Sequence, residues 1–188
     1  MLQKSAEKIT RVKMTMKNEL CKLFIGIDPG VSGALAAVRV NDEDESTSFY
    51  QLVEAIDMPF ETTKTRKRVS PHAVNLWIEH VIELCAPCKV FLTCEAVHSM
   101  PRDGAMGAFS FGDAFGVVRG VLCTKLFQYE YVSPQKWKRY FGLTGADKDY
   151  SRTIALQRIN NAELKFKKDH NKAEAMLLAV YGAEKLIK

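Results

Sequence analysis

Apolar residues run through Leu23-Phe24-Ile25-Gly26-Ile27 and stop at Asp28-Pro29-Gly30. Proline removes a ladder donor and glycine permits a turn, so a first strand ends at Asp28. Ser32 to Val40 resumes as a second strand, and Ser48 to Ile56, beyond the acidic turn Asn41-Asp42-Glu43-Asp44-Glu45, supplies a third. Three strands with short turns predict an antiparallel meander. Thr62 to Val69 reads as a basic loop, after which Ser70-Pro71 offers an N-cap and first-turn proline for a helix to about Leu84. Val90 to Glu95 is a buried strand that ends on a carboxylate. Ala105 to Leu126 carries Gly107, Gly112, Gly116 and Gly120 among phenylalanines and valines. Glycines cost a helix about 1 kcal/mol each, so they imply close approach of another helix or a nucleic-acid backbone, with self-association one candidate. Gln128 to Val132 is a further strand. Gln135 to Phe141, Lys148 to Ile159 and His170 to Ile187 are helices, the last with an apolar stripe at Ala175, Leu178, Ala179, Gly182 and Leu186. Strands first, then helices and strands alternating, describe a mixed sheet covered by helices.

Length narrows this picture to one domain, because 188 residues can bury a core without staples. We place the domain at residues 21–188, behind a basic N-terminal tail at 1–20 that carries Lys4, Lys8, Arg11, Lys13 and Lys17. That tail lacks the apolar stretch of a secretory signal, while an organelle-targeting leader stays open. No apolar run approaches the roughly 20 residues that span a bilayer, so no membrane partner is expected. A net charge of +5 favours a polyanionic partner by field alone. Cys21, Cys85, Cys88, Cys94 and Cys123 are odd in number and scattered, which points to a reducing intracellular compartment, a bacterial or phage-infected cytoplasm or an organelle. Cys85-Ala-Pro-Cys88 has the gap of a zinc or redox pair but neither a second pair nor a following helix, so we read it as small residues in a helix-to-strand turn.

Candidate chemistry lies in the carboxylates. Asp28 and Glu95 both end strands, and adjacent placement of those strands brings them to one sheet edge. His170 and Glu174 are four apart, on one helix face. Carboxylates from separate elements that meet at one edge suit two-metal phosphodiester hydrolysis. An oxygen-rich set suits Mg²⁺, two ions per site, and the imidazole adds tolerance of Mn²⁺. Asp169 precedes a helical stripe and reads as an N-cap rather than a ligand.

The segments Ile25-Gly26-Ile27-Asp28-Pro29-Gly30, Glu95 and Lys168-Asp169-His170…Glu174-Ala175 resemble the RuvC family of Holliday junction resolvases over roughly residues 22–185. Met100-Pro101-Arg102-Asp103-Gly104, Ser133-Pro134-Gln135-Lys136-Trp137-Lys138 and Lys148-Asp149-Tyr150-Ser151-Arg152 are similar to its phage and bacterial RuvC-like branch and to the related plant chloroplast resolvase. The resemblance implies an α/β, RNase H-like fold with a mixed five-stranded sheet, a homodimer, and symmetric nicking of four-way DNA junctions. It also implies that Asp28 is the first-strand catalytic aspartate, Glu95 the central glutamate and Glu174 the last-helix carboxylate. His170 departs from the bacterial pattern of two aspartates three apart, since position 171 is Asn, and is similar to the chloroplast-type arrangement. Its role is a metal ligand or a proton-transfer group, and we favour activation of the attacking water.

Junction phosphates call for distributed cations rather than base readout. Lys136, Lys138, Arg139, Lys148, Arg152, Lys165, Lys167 and Lys168 flank the acidic helix, with Trp137, Tyr140 and Phe141 interleaved; Lys64, Arg66, Lys67 and Arg68 form a second patch. Phe109 and Phe111 either pack in the core, the preferred reading, or insert at a junction centre. Two other classes compete. Gly26 to Gly33 superficially looks like the first phosphate loop of actin-like and sugar-kinase ATPases, but no second such loop follows. A non-catalytic junction-binding or architectural protein would keep the fold and the basic surface without cleaving, and the joint presence of Asp28, Glu95, His170 and Glu174 argues against it.

Overall fold

The computed structural model describes residues 21–41, 50–64, 66–96, 98 and 104–186. The basic N-terminal tail, the acidic turn after Asn41 and all of Met100-Pro101-Arg102-Asp103 lie outside the described residues. Among the described residues eight strands form: β1 (Cys21–Asp28), β2 (Ala34–Asn41), β3 (Tyr50–Asp57), β4 (Phe60–Thr62), β5 (Lys67–Val69), β6 (Lys89–Glu95), β7 (Gln128–Val132) and β8 (Ile159–Asn160). Five helices accompany them: α1 (Pro71–Cys85), α2 (Ala105–Cys123), α3 (Pro134–Tyr140), α4 (Lys148–Arg158) and α5 (His170–Leu186).

The main sheet runs β7-β6-β1-β2-β3-β8. β1, β2 and β3 are the antiparallel meander, while β6 joins β1, and β7 joins β6, in parallel. The five long strands are those the sequence predicts. Two-residue β8 adds a sixth, too short to leave a periodic trace, and pairs with Tyr50 and Gln51. The basic loop also gains structure, for β4 and β5 pair across Phe60↔Val69 and Thr62↔Lys67.

Both faces of the sheet are covered, which explains why β1 reads as a continuous apolar run. Leu23, Ile25 and Ile27 point into one core with Trp77, Ile78 and Val81 of α1 and Val118 and Leu122 of α2. Phe24 points into the other, built on α5 with Trp137, Phe141 and Tyr181. α1 starts as predicted, with the Ser70 hydroxyl accepting from the Ala73 N–H at 3.4 Å and Pro71 in the first turn.

α5 is the central helix, buried from Ala175 to Ala183. It lies against β1, β2 and β6 because small residues line the contact. A Cβ on Gly26 would fall on the Ala175 carbonyl oxygen and 2.5 Å from the Ala179 nitrogen, and one on Gly182 would strike Thr93 Oγ1.

Three expectations are corrected here. Cys21 and Cys88 form a disulfide across the starts of β1 and β6, Cα–Cα 4.8 Å, so Cys88 is more than a small turn residue. Pairing across 67 residues is set by strand adjacency, which spacing does not encode. Phe109 and Phe111 stay outside the core, 58% and 47% exposed, because only the Ala114, Val118, Val121 and Leu122 side of α2 is buried. By length and composition alone α2 is also apolar enough to cross a membrane, an apolar stretch that its interleaved glycines disguise in the sequence. Cβ atoms on Gly107, Gly112, Gly116 and Gly120 would meet nothing within 4 Å, so no element among the described residues accounts for these glycines.

Candidate active site

Parallel pairing of β1 with β6 is in register from Lys22↔Lys89 to Ile27↔Cys94. The next residues along are Asp28 and Glu95, so both carboxylates leave the sheet at the same edge. Glu174, in the second turn of α5, comes to that edge because Gly26 admits the helix backbone one turn further along. The three elements that the sequence marks as carboxylate bearers therefore converge.

The convergence is visible in the electrostatics. Burial pushes the Asp28 carboxyl up to about 7, and the charges of Glu95 and Glu174 push it the same way against a Gly30 N–H bond and Lys138. Burial also raises Glu95, opposed by a bond from Trp137 and by Lys138, with Glu174 adding to the rise. Three carboxylates that repel one another in a partly desolvated pocket favour a cation. Among the described residues no three His, Cys, Asp or Glu side chains already form a closed ligand set. The donor chemistry, carboxylate oxygens from three elements, fits a hard divalent ion.

One cation is already present. Lys138 Nζ sits 3.2 and 3.3 Å from the two oxygens of Glu174. Its neighbour Trp137 is fully buried and donates its indole N–H to Glu95 Oε2 at 2.7 Å. Consecutive residues of α3 thus reach two of the three carboxylates. Sequence reasoning placed both among DNA-contacting groups, whereas Trp137 is an inward-facing partner of Glu95. The detectable signal is the Ser133-Pro134 helix start, which fixes α3 four residues before an aromatic.

Gly33 completes the turn after β1. A Cβ there would strike the Asp28 carbonyl oxygen and come 2.9 Å from its Cγ, while Gly30 N–H donates to Asp28 Oδ1 at 3.5 Å. The first turns of α2 border this loop, because a Cβ on Gly30 would lie 3.9 Å from the Phe111 ring. Cys94 is buried beside the carboxylates; burial and the charges of Asp28 and Glu95 raise its thiol, so it supplies no thiolate.

His170 is half-buried at the start of α5, one turn before Glu174. Its Nδ1 lies 3.0 Å from the Lys167 carbonyl oxygen. A carbonyl only accepts, so Nδ1 is the donor, which in the neutral ring leaves Nε2 as the acceptor. Asp169 is buried and accepts from the Phe166 N–H at 2.7 Å, so it closes the 3-10 turn Lys167–Asp169 that leads into α5 instead of being the N-cap expected from the sequence.

The basic residues divide. Lys136, Arg139, Lys165, Lys167 and Lys168 are exposed, and Lys165 pairs with Glu163 at 2.8 Å. Arg152 is turned into the fold, donating to the Leu164 carbonyl at 2.6 Å and to Asp149 at 3.3 Å. The Lys148 side chain lies outside the described residues. On the other flank Arg68 binds both oxygens of Asp113 on α2, and Arg66 stacks 4.7 Å over the Phe109 ring.

No protein-family model and no curated protein sequence matches the chain. Solved structures do. The Thermus thermophilus RuvC structure is similar at a TM-score of 0.55 and 16% identity, covering 87% of this chain and 96% of that one. T. thermophilus RuvC in complex with Holliday junction substrate gives 0.54 and 14% over the same shares. At these identities the likeness establishes the fold, a mixed α/β sheet flanked by helices as in the RuvC and RNase H-like architecture.

Proposed function

We propose that this chain is a structure-selective endonuclease that cuts four-way DNA junctions, a member of the RuvC-like group nearest its phage, bacterial and chloroplast branches. The observation that carries the reading is the meeting of Asp28, Glu95 and Glu174 at one sheet edge, each from a different element. Junction DNA as partner is supported by the fold shared with a RuvC seen on a Holliday junction substrate.

Asp28, Glu95 and Glu174 would hold two Mg²⁺ or Mn²⁺ ions, which would supply charge neutralisation at the scissile phosphate and a more acidic water. The rest falls to the protein's own side chains. Trp137 and Lys138 hold Glu95 and Glu174 in place, and the free Nε2 of His170 takes a proton from the attacking water. Lys136, Arg139, Lys167 and Lys168 bind phosphates of the arms, while Lys138 lies deeper, within the site. In-line attack leaves a 5′-phosphate and a 3′-hydroxyl.

Symmetric nicking requires two sites, and we assign the dimer contact to α2. Its glycine-bearing side is open, and Met106 and Phe109 stand 76% and 58% exposed. The catalytic unit is residues 21–188, with the basic segment 1–20 as an accessory.

The test incubates labelled four-way, three-way and linear DNA with the full chain in Mg²⁺, Mn²⁺ or EDTA. Paired nicks in the four-way substrate alone, abolished by EDTA, are the expected result. Asp28→Asn and Glu95→Gln should bind the junction and leave it whole. Nicking by both variants at the native rate sinks the assignment, and junction binding with no cleavage under any metal leaves the architectural alternative standing.

A further inference from the structure

We infer that Trp137 is a positioning residue for Glu95, its indole N–H holding one carboxylate oxygen so that the other is presented to the site. The inference rests on the nuclease reading for what Glu95 then does, and on geometry for the rest. Indole nitrogen donates and never accepts, so its 2.7 Å partner must be an acceptor, and a carboxylate oxygen is the strongest available. The ring is wholly buried. If Glu95 swung away, the N–H would be left without a partner in an apolar core, a costly arrangement. The lock is therefore reciprocal.

The anchor is rigid because α3 is held on both sides. Pro134 sets its first turn, Trp137 and Phe141 are embedded in the α5 core, and the Tyr140 hydroxyl donates to Glu184 at the far end of α5. Glu95 is the last residue of β6, where the ladder ends and the backbone alone constrains it least. Its neighbour Ala96 still bonds through N–H to the Val132 carbonyl at 2.8 Å, which aligns the exit of β6 with the start of α3. Lys138 follows on the same short helix and grips Glu174. A displaced α3 would move two carboxylates together, and Trp137 is the part that reaches Glu95.

The chain provides its own control. It has two tryptophans, and Trp77 Nε1 donates to Glu54 Oε2, also at 2.7 Å, away from the carboxylate cluster. In the ¹⁵N-labelled full chain, titration with Mg²⁺ alone should shift the Trp137 indole signal in a saturable way and leave that of Trp77 in place. A Trp137 signal that stays still, or moves together with that of Trp77, overturns the inference. Trp137→Phe keeps the ring and removes the donor. We expect unchanged KM for the junction, kcat lowered about 10- to 100-fold, and a higher half-saturating Mg²⁺ concentration with partial recovery in excess metal. An unaltered metal requirement would mark the ring as packing and overturn the inference. The wild-type titration decides even where the variant does not fold. A shifting Trp137 signal in a protein that cuts no DNA upholds the positioning and removes the nuclease reading alone.

Discussion

Gly26 of β1 lies directly beneath the Ala175 carbonyl of α5, with no side chain between the two backbones. This contact sets how far α5 descends onto the sheet, and with it the height at which Glu174 meets Asp28. The closeness is a property of hydrogen in place of a methyl group. Gly26→Ala should destabilise the fold by about 3 kcal/mol, the upper end of overpacking costs, because backbone rather than a movable side chain stands in the way. Urea denaturation measures it. An equal or greater loss of cleavage in the folded fraction is expected, whereas Gly107→Ala, in a helix with open space around it, should raise stability by up to about 1 kcal/mol.

Asp28 titrates at about 7 in the folded chain against 3.8 as its ordinary value. Between those values the folded state binds more protons than the unfolded one, so stability falls as pH rises from about 4 to about 7 and stays reduced above. The full effect is on the order of 4 kcal/mol without a cation. Asp28→Asn should erase this slope and raise Tm at pH 8 by roughly 5 °C or more. Calorimetry at pH 5 and pH 8 reads the difference, and Mg²⁺ should raise Tm of the native chain at pH 8 more than that of the variant.

Lys138→Met removes the one cation among the described residues that faces the three carboxylates. It should cost about 1 kcal/mol at pH 8, in the range of partly exposed ion pairs, and less at pH 5 where Asp28 is protonated. Thermal melts at both values check the sign. A loss independent of pH would show that the ammonium's place over the Trp137 ring, 5.1 Å from its centroid, matters more than its pairing with the carboxylates.

Gly116→Arg on the open side of α2 should convert the proposed dimer to a monomer in light scattering, with Tm changed by no more than a few degrees. A variant that remains dimeric places the contact elsewhere.

The ends of β1 and β6 were legible because Pro29 and Gly30 stop one strand and a run of buried residues stops at Glu95. The i, i+4 spacing of His170 and Glu174 was equally legible. Trp137 was not, since an aromatic among lysines looks the same whether it faces solvent or core; only the packing of α3 on α5 turns it inward. β4 and β5 are three residues each, too short for a period of two to register. Phe109 and Phe111 have core-like composition, and their exposure depends on how little of α2 the sheet covers.

Cys21 and Cys88 tie β1 to the entrance of β6 at the end opposite the carboxylates. Parallel strands can slide, and one residue of slip would displace Asp28 from Glu95 by about 3.3 Å while turning alternate side chains to the wrong layer. A covalent stop at one end of two eight- and seven-residue rods thereby calibrates the gap at the other. The spacing of the acidic pair is metered from the far side of the molecule.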